Sequence, residues 1–512
     1  MLHKAAVAVA VVLCLTGLPG VALAGDGRAF SPGSAGAGDP YFPLDGNGGY
    51  DVGRYHLDVA YDPSSDRLTG SATITARATK NLSRFNLDLD GLAVHVITVD
   101  GKPAQWTRAG GELTVTPKRG LHDGHRFRTV VRYSGVPQLS SDQFGPSGFI
   151  HTDDGAVVIG QPHVADTWFP VNDHPRDKAA YTFRITVPKG LEAIANGVLE
   201  SRRTERGRTT WTWTATEPMA SYLATATIGQ FDVRSYRTAG IEYWDAYDPD
   251  LFTEEVTPQT TVGQIAEASL ARQPEIIDFL EDRFGPYPFS AGGGIVDDVG
   301  TLFFALENQT RPIYSKYFFF DPLEGDSVVV HELAHQWFGD SLAVRSWRHI
   351  WLNEGFATYA EWMWSEAEGL ATAQERFDAA YDEAPATDPF WALTIGDPGP
   401  DALFDSAVYD RGAMTLHQLR LTVGDVDFHR ILRRWAQTRA GGVVTTKAFV
   451  ELAEQVSGQD LGALFDTWLF TPGRPVLASA QGPRTPTPVQ GPPAPATAGR
   501  VSQRLRLAPP SA

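Results

Sequence analysis

The chain has 512 residues, 42% of them hydrophobic and 20% charged, with a formal net charge of −18 at pH 7. That length and composition suit a globular protein with room for two cores. The acidic balance argues against a nucleic-acid partner and against an anionic membrane surface.

The first residues, MLHKAAVAVAVVLCLTGLPGVALAG, place Lys4 before an apolar run from Ala5 to Leu15. Pro19 and Gly20 break that run, and Ala22-Leu23-Ala24 offers small residues for cleavage. This reads as a secretory signal peptide over residues 1–24, removed after Ala24. The run is too short to span a bilayer, and no other stretch is apolar enough, so no stable membrane insertion is expected. The single cysteine, Cys14, lies inside the signal and follows Leu13, which is not small. Lipidation is therefore not expected, and the exported protein would carry no disulfide.

Residues 25–49 are rich in Gly, Pro and Ser and read as a flexible linker. From 50 to 235 the pattern turns to strands. RYHLDVAYD, SATITARAT and TTWTWTAT alternate with period two. Asp100-Gly101 and Asn196-Gly197 are turn dipeptides between strand-like runs, which predicts hairpins. The expectation is an N-terminal antiparallel β-sandwich-like domain. From 236 to 475 the spacing becomes helical, beginning with TPQTTVGQIAEASLARQPEIIDFLEDRFG, with Thr257 or Thr260 as N-cap. The tail, 476–512, is Pro-rich and poor in large apolar residues, as a disordered segment would be. The whole reads as a multidomain α+β chain.

The segment VVVHELAHQWFGD carries the chemistry. On a helix, His331 and His335 share one face, one turn apart, and can offer nitrogens to a single ion. Glu332 sits beside the first histidine and can reach an attacking water without coordinating the metal, as a general base must. The five-residue pattern alone also fits a helix whose histidines are satisfied in the core. The apolar flanks make the helix buried, and two histidines and a glutamate are costly there without a partner. Glu354 lies at the polar start of a second buried helix, IWLNEGFATYAEWMW. It completes a His/His/Glu set with an open fourth position, which suits one catalytic Zn2+ per chain.

HELAHQWFGD followed by WLNEGFATYAE resembles the zinc aminopeptidase family of aminopeptidase N and leukotriene A-4 hydrolase, among the gluzincin metallopeptidases. Four further stretches resemble family motifs. FALENQT (304–310) resembles the Gly-Ala-Met-Glu-Asn exopeptidase motif. FPVNDHPRDKAAYTF (169–183) resembles the Phe-Pro-Cys-x-Asp-Glu-Pro segment. AVYDRGAMTLHQLR (407–420) resembles the stretch with the catalytic tyrosine, and ALFDTWLFTPGRP (463–475) the end of the catalytic domain. The resemblance implies a thermolysin-like, mainly helical zinc domain after the β-domain. It makes His331, His335 and Glu354 the metal ligands, Glu332 the general base and Tyr409 the oxyanion donor. Glu307 would bind the α-ammonium of a peptide with a free N-terminus, with Gln161 as a second contact. Phe304 and Leu306 replace the family's glycine and methionine, and Val171 and His174 its cysteine and glutamate, the latter in a segment read as structural. The large C-terminal helical domain of many relatives is not expected here.

The function that follows is a secreted zinc aminopeptidase. Two alternatives stay open: a zinc endopeptidase with an open cleft, and a catalytically silent peptide-binding homologue. Internal cleavage of N-acetylated peptides would mark the first, and zinc without turnover the second.

Overall fold

The computed structural model describes residues 29–142 and 145–477. The expected signal peptide and the tail from 478 onward lie outside the described residues. Strand alternation translates directly into a buried face. In Arg67–Ala78, Leu68, Ala72, Ile74, Ala76 and Ala78 point inward, and in Tyr50–Asp62 so do Tyr55, Leu57, Val59 and Tyr61. These two strands are central in an eight-stranded sheet. Tyr50–Asp62 runs antiparallel to Arg67–Ala78 but parallel to Ala179–Pro188, so the sheet is not wholly antiparallel. A five-stranded and a four-stranded sheet complete the N-terminal domain. Trp168, Tyr55, Tyr133, Trp211 and Trp213 are fully buried in it.

The two turn dipeptides behave differently. Asp100 and Gly101 both take positive φ, 50° and 72°, and close a hairpin with Val99 opposite Lys102. Asn196-Gly197 closes none. The strands on either side pair in different sheets, Glu192–Ala195 with Ala226–Gly229 and Val198–Glu205 with Arg208–Met219. Gly197 crosses between them at φ 85°, where a Cβ would meet the Thr214 carbonyl oxygen at 2.1 Å.

The next sheet, Asp232–Thr238, Ile241–Tyr247, Ala291–Asp297 and Ile313–Ser315, shares no strand with those three sheets and belongs to the second, mainly helical domain. The helix Val262–Leu270 is capped by Thr261, in a capping box with Gln264, and not by Thr257 or Thr260. Those two threonines pair in a small hairpin. Helices then account for most of the chain to Phe465. Among the described residues no helix is long and apolar enough to cross a membrane.

Two features position the site. The first is the segment Leu306–Arg311, stitched into both domains. Asn308 Nδ2 donates to the Leu223 carbonyl at 2.9 Å, and Asn196 Nδ2 donates to the Gln309 carbonyl at 2.8 Å. Thr310 N–H donates to Gln336 Oε1 at 2.8 Å, and buried Arg311 donates to the Gly197 carbonyl at 2.9 Å. The second is a glycine crossing. A Cβ on Gly355 would lie 2.8 Å from the Cα of Gly412, so helices Trp351–Ala367 and Ser406–Val423 meet backbone to backbone. Glu354 and Tyr409 flank that crossing.

Residues 29–49 correct the linker expectation. Ser31–Pro32 pairs with Leu82–Asp88, and Asn47 Nδ2 donates to Asp88 Oδ1 at 2.8 Å. Asp39 is fully buried and spans the domains. It accepts from His174 Nε2 at 3.2 Å, from Tyr41 N–H at 2.8 Å and from Trp347 N–H at 3.0 Å. Glycine and proline here serve an ordered coil pinned by side chains. Burial alone would push the Asp39 carboxyl up, but these hydrogen bonds hold it well below the usual carboxylate range. Asp39→Ala should therefore lower unfolding free energy by roughly 2–4 kcal/mol near neutral pH. A depressed folded pKa contributes stability above the unfolded value, so the gap to wild type should narrow only below about pH 4. Urea titrations at several pH values check both; a neutral-pH change within about 0.5 kcal/mol would refute the clasp.

Candidate active site

The helix Pro322–His335 starts where Asp321 caps it, accepting from Leu323 N–H at 2.8 Å, with Pro322 in the first turn. Every residue from Val328 to His335 is buried, so the helix crosses the core and carries its polar groups with it. His331 Nε2 and His335 Nε2 lie 3.5 and 3.3 Å from Glu354 Oε2. One donor atom from each of the three residues lies within 4.8 Å of the others.

The outer nitrogens are occupied. His331 Nδ1 faces Glu361 Oε1 at 2.7 Å, and the other Glu361 oxygen accepts from Ser327 Oγ at 2.6 Å. His335 Nδ1 faces the Phe338 carbonyl at 3.0 Å. Each acceptor places the proton on Nδ1 and turns the Nε2 lone pair inward, which is how ligand histidines are usually oriented. Glu361 lies two turns after Glu354 on the same helix face. That spacing was legible in the sequence, although no motif pointed to it.

Four buried carboxylates, Glu307, Glu332, Glu354 and Glu361, surround the two imidazoles. Burial would raise Glu354, but the imidazoles overturn that and hold it at about 2. Burial would lower His335, but Glu354 and Glu307 carry it up to about 9. Burial pushes Glu332 up to about 8 despite both imidazoles. The pocket calls for positive charge: protons collect on the imidazoles unless a divalent cation replaces them. Two imidazoles and a carboxylate with an open side fit zinc.

Glu332 is 2% exposed and its Oε2 has no hydrogen-bond partner, an acceptor left free beside the ligand set. Glu307 reaches the same pocket from the stitched segment. Its Oε1 accepts from Gln161 Nε2 at 2.9 Å and from the Tyr222 hydroxyl at 3.0 Å. Gln161 and Tyr222 belong to the N-terminal domain, so this end of the pocket is built across the interface. Tyr409 is half-buried, its ring 6.0 Å from that of His331 at an angle of 22°. All seven residues nominated from sequence thus converge on one pocket, and Tyr222 is a contact the sequence reading passed over. Phe304 is partly buried against the core near this segment. Glu307, Glu332 and His335 form a second donor group, which shares His335 with the first. With His335 Nδ1 facing the Phe338 carbonyl, one nitrogen of that ring remains for a metal, in keeping with one metal per chain.

Comparison with known proteins agrees with this geometry. Residues 52–223 match the peptidase M1 N-terminal domain, and residues 269–468 the peptidase family M1 domain. A solved M1 zinc metallopeptidase from Deinococcus radiodurans is 30% identical, with a TM-score of 0.76, over 87% of this chain and 100% of that one. A two-domain M1 zinc metallopeptidase variant bound to L-arginine is 29% identical, with a TM-score of 0.76, over 86% of this chain and 99% of that one. The aminopeptidase N of Lactococcus lactis is 26% identical over 83% of this chain and 52% of its own length. A probable aminopeptidase of Sulfurisphaera tokodaii is 25% identical over 76% and 50%. The chain spans about half the length of the curated relatives it matches. With 30% identity over the whole of the Deinococcus radiodurans enzyme, the chain belongs to the M1 family of zinc metallopeptidases.

Proposed function

We propose that the protein is an aminopeptidase that releases the N-terminal residue of peptides, using zinc held by His331, His335 and Glu354. The observation that carries this reading is the buried Glu307 carboxylate, fixed beside the ligand set. A free α-ammonium bound there would bring the first peptide bond toward the ligand set. Zinc, when bound, supplies Lewis acidity, lowering the pKa of water and polarising the scissile carbonyl. Glu332 takes a proton from the attacking water and passes it to the leaving amine; its unpartnered, buried oxygen favours this role. Tyr409 donates its phenolic hydrogen to the developing oxyanion. Gln161, already donating to Glu307, keeps its carbonyl oxygen as an uncharged acceptor for the amine. Among relatives, an M1 zinc metallopeptidase variant from Deinococcus radiodurans binds a Tyr-Ser-Ala substrate, which supports peptides as the substrate class.

Paired peptides, one with a free N-terminus and one acetylated, followed by mass spectrometry, test this. Stepwise loss of single residues from the free peptide alone is expected. Glu332→Gln should lower kcat by at least about 10²-fold. Internal cleavage of both peptides would overturn the amine anchor and favour an endopeptidase, and no turnover of either would favour a silent binding homologue.

We also infer export, from Lys4, the apolar run and Ala22-Leu23-Ala24. N-terminal sequencing of the protein from culture fluid should begin at Gly25. Accumulation inside the cell with residues 1–24 retained would count against it.

A further inference from the structure

We propose that Tyr222 is a positioning residue for the amine anchor: its hydroxyl, with the Gln161 amide, fixes the Glu307 carboxylate for the substrate's α-ammonium. The inference rests on the aminopeptidase reading and adds a residue to it. Tyr222 lies in the single turn Ser221–Leu223, between Arg208–Met219 and Ala226–Gly229. The turn is pinned at both ends. Ser221 Oγ donates to Asp173 Oδ1 at 2.6 Å, and the Leu223 carbonyl accepts from Asn196 and Asn308, each at 2.9 Å. The Tyr222 ring is 1% exposed and packs edge-on against Trp347 at 5.3 Å. Trp347 is in turn held through its backbone by Asp39.

The second donor arrives by the same junction. A Cβ on Gly160 would lie 2.3 Å from the Tyr222 carbonyl oxygen, so the chain just before Gln161 rests on the Tyr222 turn. Both donors converge on one oxygen, Glu307 Oε1. The terminal torsion of a glutamate is broad, and one donor leaves it free to swing. Two donors on one oxygen set the carboxylate plane, and a carboxylate still has about two acceptor sites left for an ammonium. Burial and the neighbouring Glu307 push the Tyr222 hydroxyl well above its ordinary range, so it remains a donor. Glu307 is further tethered by its chain neighbour, Asn308 on Leu223, the residue after Tyr222.

The test compares two inhibitors with the same metal-binding group, leucine hydroxamate and its deamino counterpart 4-methylpentanohydroxamic acid. Affinities are measured for the zinc-loaded wild type and for Tyr222→Phe. Wild type should prefer the amine-bearing compound. Tyr222→Phe should lose about tenfold of that preference, a difference of about 1.4 kcal/mol, with deamino affinity unchanged. A preference kept within twofold, or equal loss for both compounds, would reduce Tyr222 to a packing residue and overturn the proposal. If wild type shows no preference, the amine anchor itself fails, and the proposal with it. Should Tyr222→Phe not fold, the crystal structure of wild type with leucine hydroxamate decides. A Tyr222 hydroxyl within about 3.2 Å of Glu307 supports the role, and one beyond about 4 Å refutes it.

Discussion

Burial of negative charge in one pocket is the constraint on which the rest of the molecule depends. Glu307, Glu332, Glu354 and Glu361 are all withdrawn from water around two imidazoles. Isolated carboxylates in such a place would cost several kcal/mol each, so the fold has to supply compensating positive charge and hydrogen bonds. A divalent cation on the inner nitrogens meets the first need. Ser327 on Glu361, and Gln161 and Tyr222 on Glu307, meet part of the second.

That compensation explains why two domains are needed. The metal set is local to the catalytic domain, where helical period aligns His331 with His335 and the Gly355–Gly412 crossing brings Glu354 near Tyr409. The anchor end is not local. Glu307 comes from the catalytic domain and both of its donors from the N-terminal one. The hydrogen bonds of Asn196, Asn308 and Arg311, that of Gly197 N–H to Thr310 Oγ1 at 2.8 Å, and the Asp39 clasp hold these halves in register. The contacts that pack the two domains thus also fix the Glu307 carboxylate.

Legibility in the sequence followed locality. The histidine pair, Glu332 and Glu354 could be read because helical spacing and burial pattern are properties of short windows. Glu361 obeyed the same rule and was missed for want of a motif. Glu307, Gln161 and Tyr409 were accessible only through family resemblance, since no local pattern links Gln161 to a glutamate 146 positions away. Tyr222 had no signal at all beyond an aromatic in a strand-rich region. Residues 29–49 and Asn196-Gly197 were misread for a related reason. Glycine, proline and asparagine signal irregular backbone, but whether it is a linker, a hairpin or a pinned coil depends on distant partners such as Trp347 and Gln309.

Everything above turns on a pocket built around one zinc. Its most direct test is elemental analysis of the purified protein, coupled to thermal unfolding before and after chelation. One zinc per chain is expected, with a clear fall in Tm when it is removed and recovery on adding one equivalent. A folded protein that carries no zinc, takes up none when it is offered, and unfolds at the same temperature with and without chelator would contradict it.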